Sequence, residues 1–266
     1  MSQMVSLFDI DLMVEYAGNG EPIVFVHGFP LDHSMWRSQI DAFSQTHTVI
    51  APDLRGFGQS EDSAGTVTME QFADDIAAIL EQLHVEGPIT FCGLSMGGYI
   101  AWQFWKRHPK LLKRLILCDT RAIADSPEAR QTRLDAAERV LSEGQQFLAE
   151  SMIPKMFAPV TRERHPELVE ETKRTILMNS PMGIAAAQKG LAARPDVTSW
   201  LPEIKVPALL IVGEKDEISP PDEMQTIADA LPHGKLVVIP DAGHMAPLEQ
   251  PQAVNDAIRQ FLDESV

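Results

Sequence analysis

The chain has 266 residues, 44% hydrophobic and 23% charged, and its 22 Lys+Arg against 38 Asp+Glu leave a formal net charge of −16 at pH 7. Composition this near the globular average argues against disordered, collagen-like and coiled-coil chains, and the length suits one large α/β domain carrying an insertion. So acidic a surface repels polyanions, which argues against nucleic acid as a partner.

No apolar run approaches eighteen residues, so no membrane span is expected. The start Met1-Ser2-Gln3-Met4 has neither the basic nor the apolar region of an export signal, and a cytoplasmic protein is expected. Cys92 and Cys118 each end an apolar run without metal-ligand spacing, which reads as two buried thiols in a reducing compartment.

In chain order, residues 4–17, interrupted at Asp9-Ile10-Asp11, read as two antiparallel strands at a sheet edge. Short runs rich in β-branched residues follow at 22–26, 48–51, 89–92, 115–118, 208–212 and 236–239, and their continuous apolarity predicts strands buried on both faces. Between several of them lie helical patterns, such as 69–83 with Phe72, Ile76, Ile79, Leu80 and Leu83 on one face, and 253–262 near the end. Strand alternating with helix implies a mostly parallel sheet flanked by helices.

Residues 120–200 break that alternation. They show helical patterns at 130–141, 145–152, 166–178 and 182–192, punctuated by Pro154, Pro159, Pro181 and Pro195. This predicts a helical cap, residues 121–200, set into a core made of 1–120 and 201–266, over the carboxyl edge where open α/β sheets bind ligands. From 121 to 200 there are eleven Lys+Arg and eleven Asp+Glu, so the cap is neutral and the rest carries the −16.

The sharpest chemical signal is Gly93-Leu94-Ser95-Met96-Gly97-Gly98, a G-x-S-x-G pattern between a predicted strand and a predicted helix. A serine on so sharp a turn is held out above the sheet, and small neighbours are needed because the turn is crowded. Serine is a weak nucleophile near neutral pH and needs a base. His244, in the loop after the last predicted strand, is placed for that role, and Asp216, after the preceding strand, is placed to orient it. Asp119 also ends a strand and is the alternative acid. The N–H of Met96 at the helix start and that of Phe29 in His27-Gly28-Phe29-Pro30 are the expected oxyanion donors, since Pro30 has no N–H.

With these residues in view, the sequence resembles Ser-dependent α/β-hydrolases over nearly its whole length. The marks are His27-Gly28-Phe29-Pro30, residues 52–60 (PDLRGFGQS), the turn around Ser95, Val212-Gly213-Glu214-Lys215-Asp216 and Gly243-His244. Residues 27–36 (HGFPLDHSMW) and 93–98 are similar to the 3-oxoadipate enol-lactonase, small carboxylesterase and arylesterase branch. The resemblance implies an α/β-hydrolase fold and hydrolysis of a small, partly apolar ester or lactone through an acyl-enzyme, with no metal or organic cofactor. Carbon–carbon bond hydrolysis on the same residues, and a slow-turnover ligand sensor signalling through its cap, are the alternatives.

Two further signals carry less. The glycines of Gly56-Phe57-Gly58 resemble a dinucleotide fingerprint, but Glu61 stands where the third glycine belongs. Trp102, Phe104 and Trp105 read as packing against the sheet. For the substrate, Met152, Met156, Phe157, Met178, Met182 and Leu191 are candidate apolar lining, and an enol-lactone's carboxylate would need a cation, for which Arg121 comes first and Arg162 or Arg164 next.

Overall fold

The computed structural model describes residues 2–264. At its centre β1 (Ser2–Ser6), β2 (Asp11–Ala17), β3 (Pro22–Val26), β4 (Thr48–Pro52), β5 (Ile89–Leu94), β6 (Leu112–Cys118), β7 (Ala208–Gly213) and β8 (Gly234–Ile239) make one sheet in the order β1-β2-β4-β3-β5-β6-β7-β8. β1–β2 and β2–β4 are antiparallel, and every pair from β4 through β8 is parallel. The hairpin expected at the edge is β1–β2, and the six apolar runs are β3 to β8.

Strand periodicity sorts the side chains into two cores. Val24 and Val26 of β3 join Leu115, Leu117, Leu210 and Val212 on one face, where α2 (Met69–Gln82) and α3 (Met96–Arg107) pack. Ile23 and Phe25 join Ile116, Cys118, Leu209 and Ile211 on the other. Before β4 lies α1 (Arg37–Phe43), whose Ile40 and Phe43 cover that second face.

Between β6 and β7 the chain inserts α4 (Pro127–Glu143), α5 (Gln146–Met156), α6 (Pro159–Arg164), α7 (Pro166–Met178) and α8 (Pro181–Ala193). Prolines open four of these helices. Pro127, Pro159, Pro166 and Pro181 stand at first helical positions, where a missing N–H costs nothing, and Ser126 and Ser180 cap the first and last of the four. Pro154 departs from its reading as punctuation: it lies in the last turn of α5, where only one helical hydrogen bond is lost. The insertion docks on the core through α8, where Val67 N donates to Ala186 O at 3.1 Å and any Cβ on Gly190 would run into Val67 O.

After β7 come α9 (Pro221–Ala230), then, past β8, α10 (Ala246–Glu249) and α11 (Pro251–Glu264). Met224 and Ile227 of α9 pack into the first core, Val254 and Ile258 of α11 into the second. The expectation that 236–239 is buried on both faces fails. β8 is the sheet's last strand, Leu236 and Val237 are half-buried and Val238 is 42% exposed, because an edge strand has a neighbour on one side only.

Candidate active site

Parallel strands bring their C-terminal ends to one edge. Leu94 pairs with Cys118, Cys118 with Ile211, and Gly213 with Ile239, so the segments that leave β5, β6, β7 and β8 start side by side. Ser95 follows β5 with φ 52°, ψ −107°, a left-handed backbone that a side chain adopts only when its surroundings enforce it. Four bonds enforce it: Ser95 N donates to Cys118 O (2.9 Å), and Ser95 O accepts from Gly98 N (2.9 Å), Tyr99 N (3.2 Å) and Thr120 Oγ1 (2.7 Å). A Cβ on Gly97 would meet Val26 O, so α3 can start this close to β3 only with glycine there. Leu94, Met96 and Gly97 are buried while Ser95 is half-buried, which leaves the serine as the reachable residue of the turn.

His244 and Asp216 meet across the β7 and β8 loops. His244 Nδ1 lies 2.8 Å from Asp216 Oδ2, both side chains are nearly fully buried, and Asp216 Oδ1 accepts from Ile218 N (2.7 Å) and Ser219 N (3.1 Å). The carboxylate is therefore fixed by backbone donors on one oxygen and spends the other on the imidazole, which assigns the His244 proton to Nδ1 and leaves Nε2 as acceptor.

A Cβ on Gly28 would stand 3.6 Å from Ser95 Cβ, so the turn after β3 runs directly beside the serine. Among the described residues the N–H groups of Phe29 and Met96 donate to no protein acceptor. Next to them His27 is neutral: burial pushes its pKa down, Leu54 N donates to Nε2 (3.0 Å), and its Nδ1–H donates to Gly28 O (3.0 Å). The Phe29–Pro30 peptide is cis. Asp53 accepts from His33 N (2.8 Å), His33 Nδ1 (2.7 Å) and Gln59 N (2.9 Å), so the glycine-bearing 56–61 segment wraps a buried aspartate. Burial alone would lower the His33 pKa, but the hydrogen bond and charge of Asp53 override it and hold it above the ordinary value.

Two residues that sequence reading passed over join this edge to the inserted helices. Asn179 Nδ2 donates to Pro30 O (2.8 Å) and its Oδ1 accepts from Gly58 N (2.6 Å). Glu249 accepts from Gly243 N (2.7 Å) and Met245 N (3.3 Å) on one oxygen, and from Ala158 N (2.8 Å) and Thr161 Oγ1 (2.6 Å) on the other. Burial raises the Glu249 pKa, although these donors favour the anion. The sequence signal is slight: Glu249 directly follows the apolar run Met245 to Leu248.

Beside Phe29 a cavity of about 480 Å³ opens between α4, α5 and α8, lined by Phe29, Arg133, Phe147, Leu148, Met152 and Gln188. Of the residues expected around the substrate, Met152 lies on this wall. Arg121 does not: its Nε donates to both oxygens of Glu223 (2.8 and 3.0 Å), and it borders a separate crevice of about 10 Å³. A nearby carboxylate on α9 captured it. Phe157 is buried in the second core with its backbone against Gly243, so it packs beneath the His244 loop. Met156 and Leu191 are buried in the packing, Met178 and Met182 are exposed, and Arg162 and Arg164 stand on the outside of α6. The cation on the cavity wall is Arg133, whose Nε donates to Asp125 (2.6 Å) and Nη1 to Gln188 Oε1 (3.3 Å). Arg194 pairs with the same Asp125 oxygen at 2.7 Å, so two guanidiniums share one carboxylate and the group keeps one net positive charge. Burial would raise the Asp125 pKa, but Arg194 and Arg133 hold it below the ordinary range.

No helix among the described residues is long and apolar enough to cross a membrane. In sequence the chain is 31% identical to 3-oxoadipate enol-lactonase 2 of Acinetobacter baylyi, over 95% of this chain and 94% of that protein. In structure it is similar to a malate-bound thermophilic esterase from Thermogutta terrifontis, with a TM-score of 0.97 and 46% identity over 100% of this chain and 99% of the other. It also resembles the enol-lactonase from Burkholderia xenovorans LB400, with a TM-score of 0.91 and 30% identity over 98% and 100%. The profile described as alpha/beta hydrolase fold matches residues 21–251, and with the sheet order, the strained serine turn and these relatives it shows that the chain belongs to the alpha/beta hydrolase fold family.

Proposed function

We propose that this protein is a serine hydrolase of small carboxylic esters or lactones, with Ser95 as nucleophile, His244 as general base and Asp216 as the group that holds the base. The observation that carries this reading is the buried 2.8 Å contact of His244 Nδ1 with Asp216 Oδ2 at the sheet edge where Ser95 stands at φ 52°. Nε2 of His244 takes the Ser95 proton as Oγ attacks the carbonyl carbon. The tetrahedral oxyanion is met by the N–H groups of Phe29 and Met96, which have no other acceptor among the described residues. Collapse expels the alkoxide, protonated by the imidazolium, and leaves an acyl group on Ser95. Water, deprotonated by Nε2, then releases the acid; a lactone opens by the same steps to a hydroxy acid, or to an oxo acid where the leaving oxygen is enolic.

In this proposal the inserted helices, residues 121–200, act as the cap, and the cavity beside Phe29 takes the acyl portion. Phe147, Leu148 and Met152 suit a short apolar chain, while the surplus charge of the Arg133–Asp125–Arg194 group favours a substrate that also bears a carboxylate. That the Thermogutta terrifontis esterase was solved with malate, a dicarboxylate, supports the same view. The test is steady-state hydrolysis of p-nitrophenyl esters of increasing acyl length, followed by small lactones. Repeated turnover, fastest for short acyl groups and lost in Ser95→Ala, is expected; turnover that survives in Ser95→Ala overturns the proposal.

A further inference from the structure

Asp119, the residue after β6, has no part in the reaction as derived, yet it is fully buried against the acid–base pair. One carboxyl oxygen of Asp119, one of Asp216 and a ring nitrogen of His244 lie within 4.8 Å of one another. Asp119 Oδ1 accepts from Gly213 N at 2.8 Å, while Oδ2 is buried and receives no hydrogen bond from any described residue. Asp216, by contrast, has donors on both oxygens. The Asp119 backbone is held as well: its N–H donates to Ile211 O (2.9 Å) and its C=O accepts from Ser219 Oγ (3.2 Å), and the residue has no exposed surface.

Two ionised carboxylates in one dry site need two compensating charges. The titratable groups facing Asp119 are Asp216, His244 and the Cys118 thiol of its own strand, and a thiol pushed up by its neighbour Cys92 and by burial supplies no cation. A resting general base is neutral and supplies none either. One of the two acids must then keep its proton, and the oxygen that lacks a donor marks which one. A proton on Asp119 Oδ2 turns an unsatisfied acceptor into a donor, with Asp216 as its acceptor.

We propose that Asp119 is held as an undissociated carboxylic acid and serves as a positioning residue, donating a hydrogen bond to Asp216 so that the pair carries one negative charge toward His244. Burial, and then the charge of Asp216, raise its pKa well above the carboxylate range. The proton stays on Asp119 throughout turnover. Its effect is to keep Asp216 ionised and oriented without doubling the negative charge beside the imidazole, which would trap His244 as imidazolium. The inference rests on the Ser95–His244–Asp216 assignment proposed above.

The test compares wild type with Asp119→Asn. Asparagine tolerates the φ of 48° at this position, keeps an oxygen for Gly213 N and offers an N–H to Asp216, so it imitates the neutral acid. Expected is an acid limb of the pH profile of kcat/KM moved by less than about 0.5 unit in Asp119→Asn, and a kcat that Asp119→Ala, which offers Asp216 no donor, lowers by at least about tenfold relative to Asp119→Asn; equal kcat in the two variants overturns the positioning role. If Asp119 is an anion, the substitution removes a charge next to His244 and the acid limb falls by roughly a unit or more, which overturns the proposal. Infrared difference spectra at pH 7 should show a carboxylic-acid carbonyl band in wild type that Asp119→Asn lacks; no such band also overturns it. Should the variant fail to fold, ¹³C-aspartate NMR of the wild type decides. One carboxyl carbon in its protonated position at pH 7 is expected, and none contradicts. Failure of the underlying assignment reads differently, as activity retained in Ser95→Ala.

Discussion

Glu249 Oε2 accepts a 2.6 Å hydrogen bond from Thr161 Oγ1, 88 residues away in sequence, while its other oxygen holds the N–H groups on either side of His244. One carboxylate thus ties the loop of the proposed base to an inserted helix. Three of its four partners are backbone N–H groups that cannot accept, so Glu249→Gln must turn its amide N–H₂ toward at least one of them, and only Thr161 Oγ1 can reverse its hydrogen bond. A loss of about 2–4 kcal/mol is expected, on the order of 5–10 °C in Tm. Because the loop that carries His244 loosens, kcat should fall by about tenfold or more. Thermal melts and steady-state rates check it, and an unchanged Tm with unchanged kcat contradicts the tie.

Arg133 and Arg121 are predicted to separate. Arg133→Ala removes the charged donor from the cavity wall and should lower kcat/KM for a monoester of a dicarboxylic acid by about 10- to 100-fold, the worth of one charge-assisted hydrogen bond. A neutral ester of the same length should change by less than about threefold. Arg121→Ala, which breaks the pair with Glu223 outside that cavity, should affect both esters alike. Matched kinetics on the two esters is the measurement.

The His33–Asp53 pair makes stability depend on pH in a defined direction. His33 has a folded pKa above its ordinary 6.5, so its contribution is fully present below that value and is lost as pH rises through the folded pKa. Asp53 behaves oppositely: burial would raise its pKa, but His33 and backbone donors hold it below 3.8, so its contribution is present above that value and lost as pH falls through the folded one. The Tm advantage of wild type over His33→Gln should therefore be larger at pH 6 than at pH 9. Equal advantages at both values contradict the linkage.

How far the sequence led depended on whether a feature is local. Strands β3 to β7 and the helices α2 and α7 follow from periodicity, and Ser95, Asp216 and His244 from motif plus strand order, because each is decided by a few adjacent residues. Asp216 and His244 do meet as that order required. Phe157 and Arg121 were misplaced because the sequence does not say what lies across the fold from them: Gly243 in one case and Glu223 in the other. Asn179 and Glu249 went unseen for the same reason, since Pro30 and Ala158 stand 149 and 91 residues from them; Arg133 has its carboxylate only eight residues away, but the cavity it faces is closed by Gln188, 55 residues on. The exposed face of β8 was missed because an edge strand can have the same apolar run as a central one.

The central claim, that Ser95 is a nucleophile activated by His244, is tested most directly with a fluorophosphonate that reacts with activated serines. Intact-mass spectrometry of the treated protein should show one phosphonyl adduct, peptide mapping should place it on Ser95, and labelling should vanish in Ser95→Ala and slow by at least about 100-fold in His244→Asn. An adduct on another residue, or labelling of Ser95→Ala at the wild-type rate, contradicts the account.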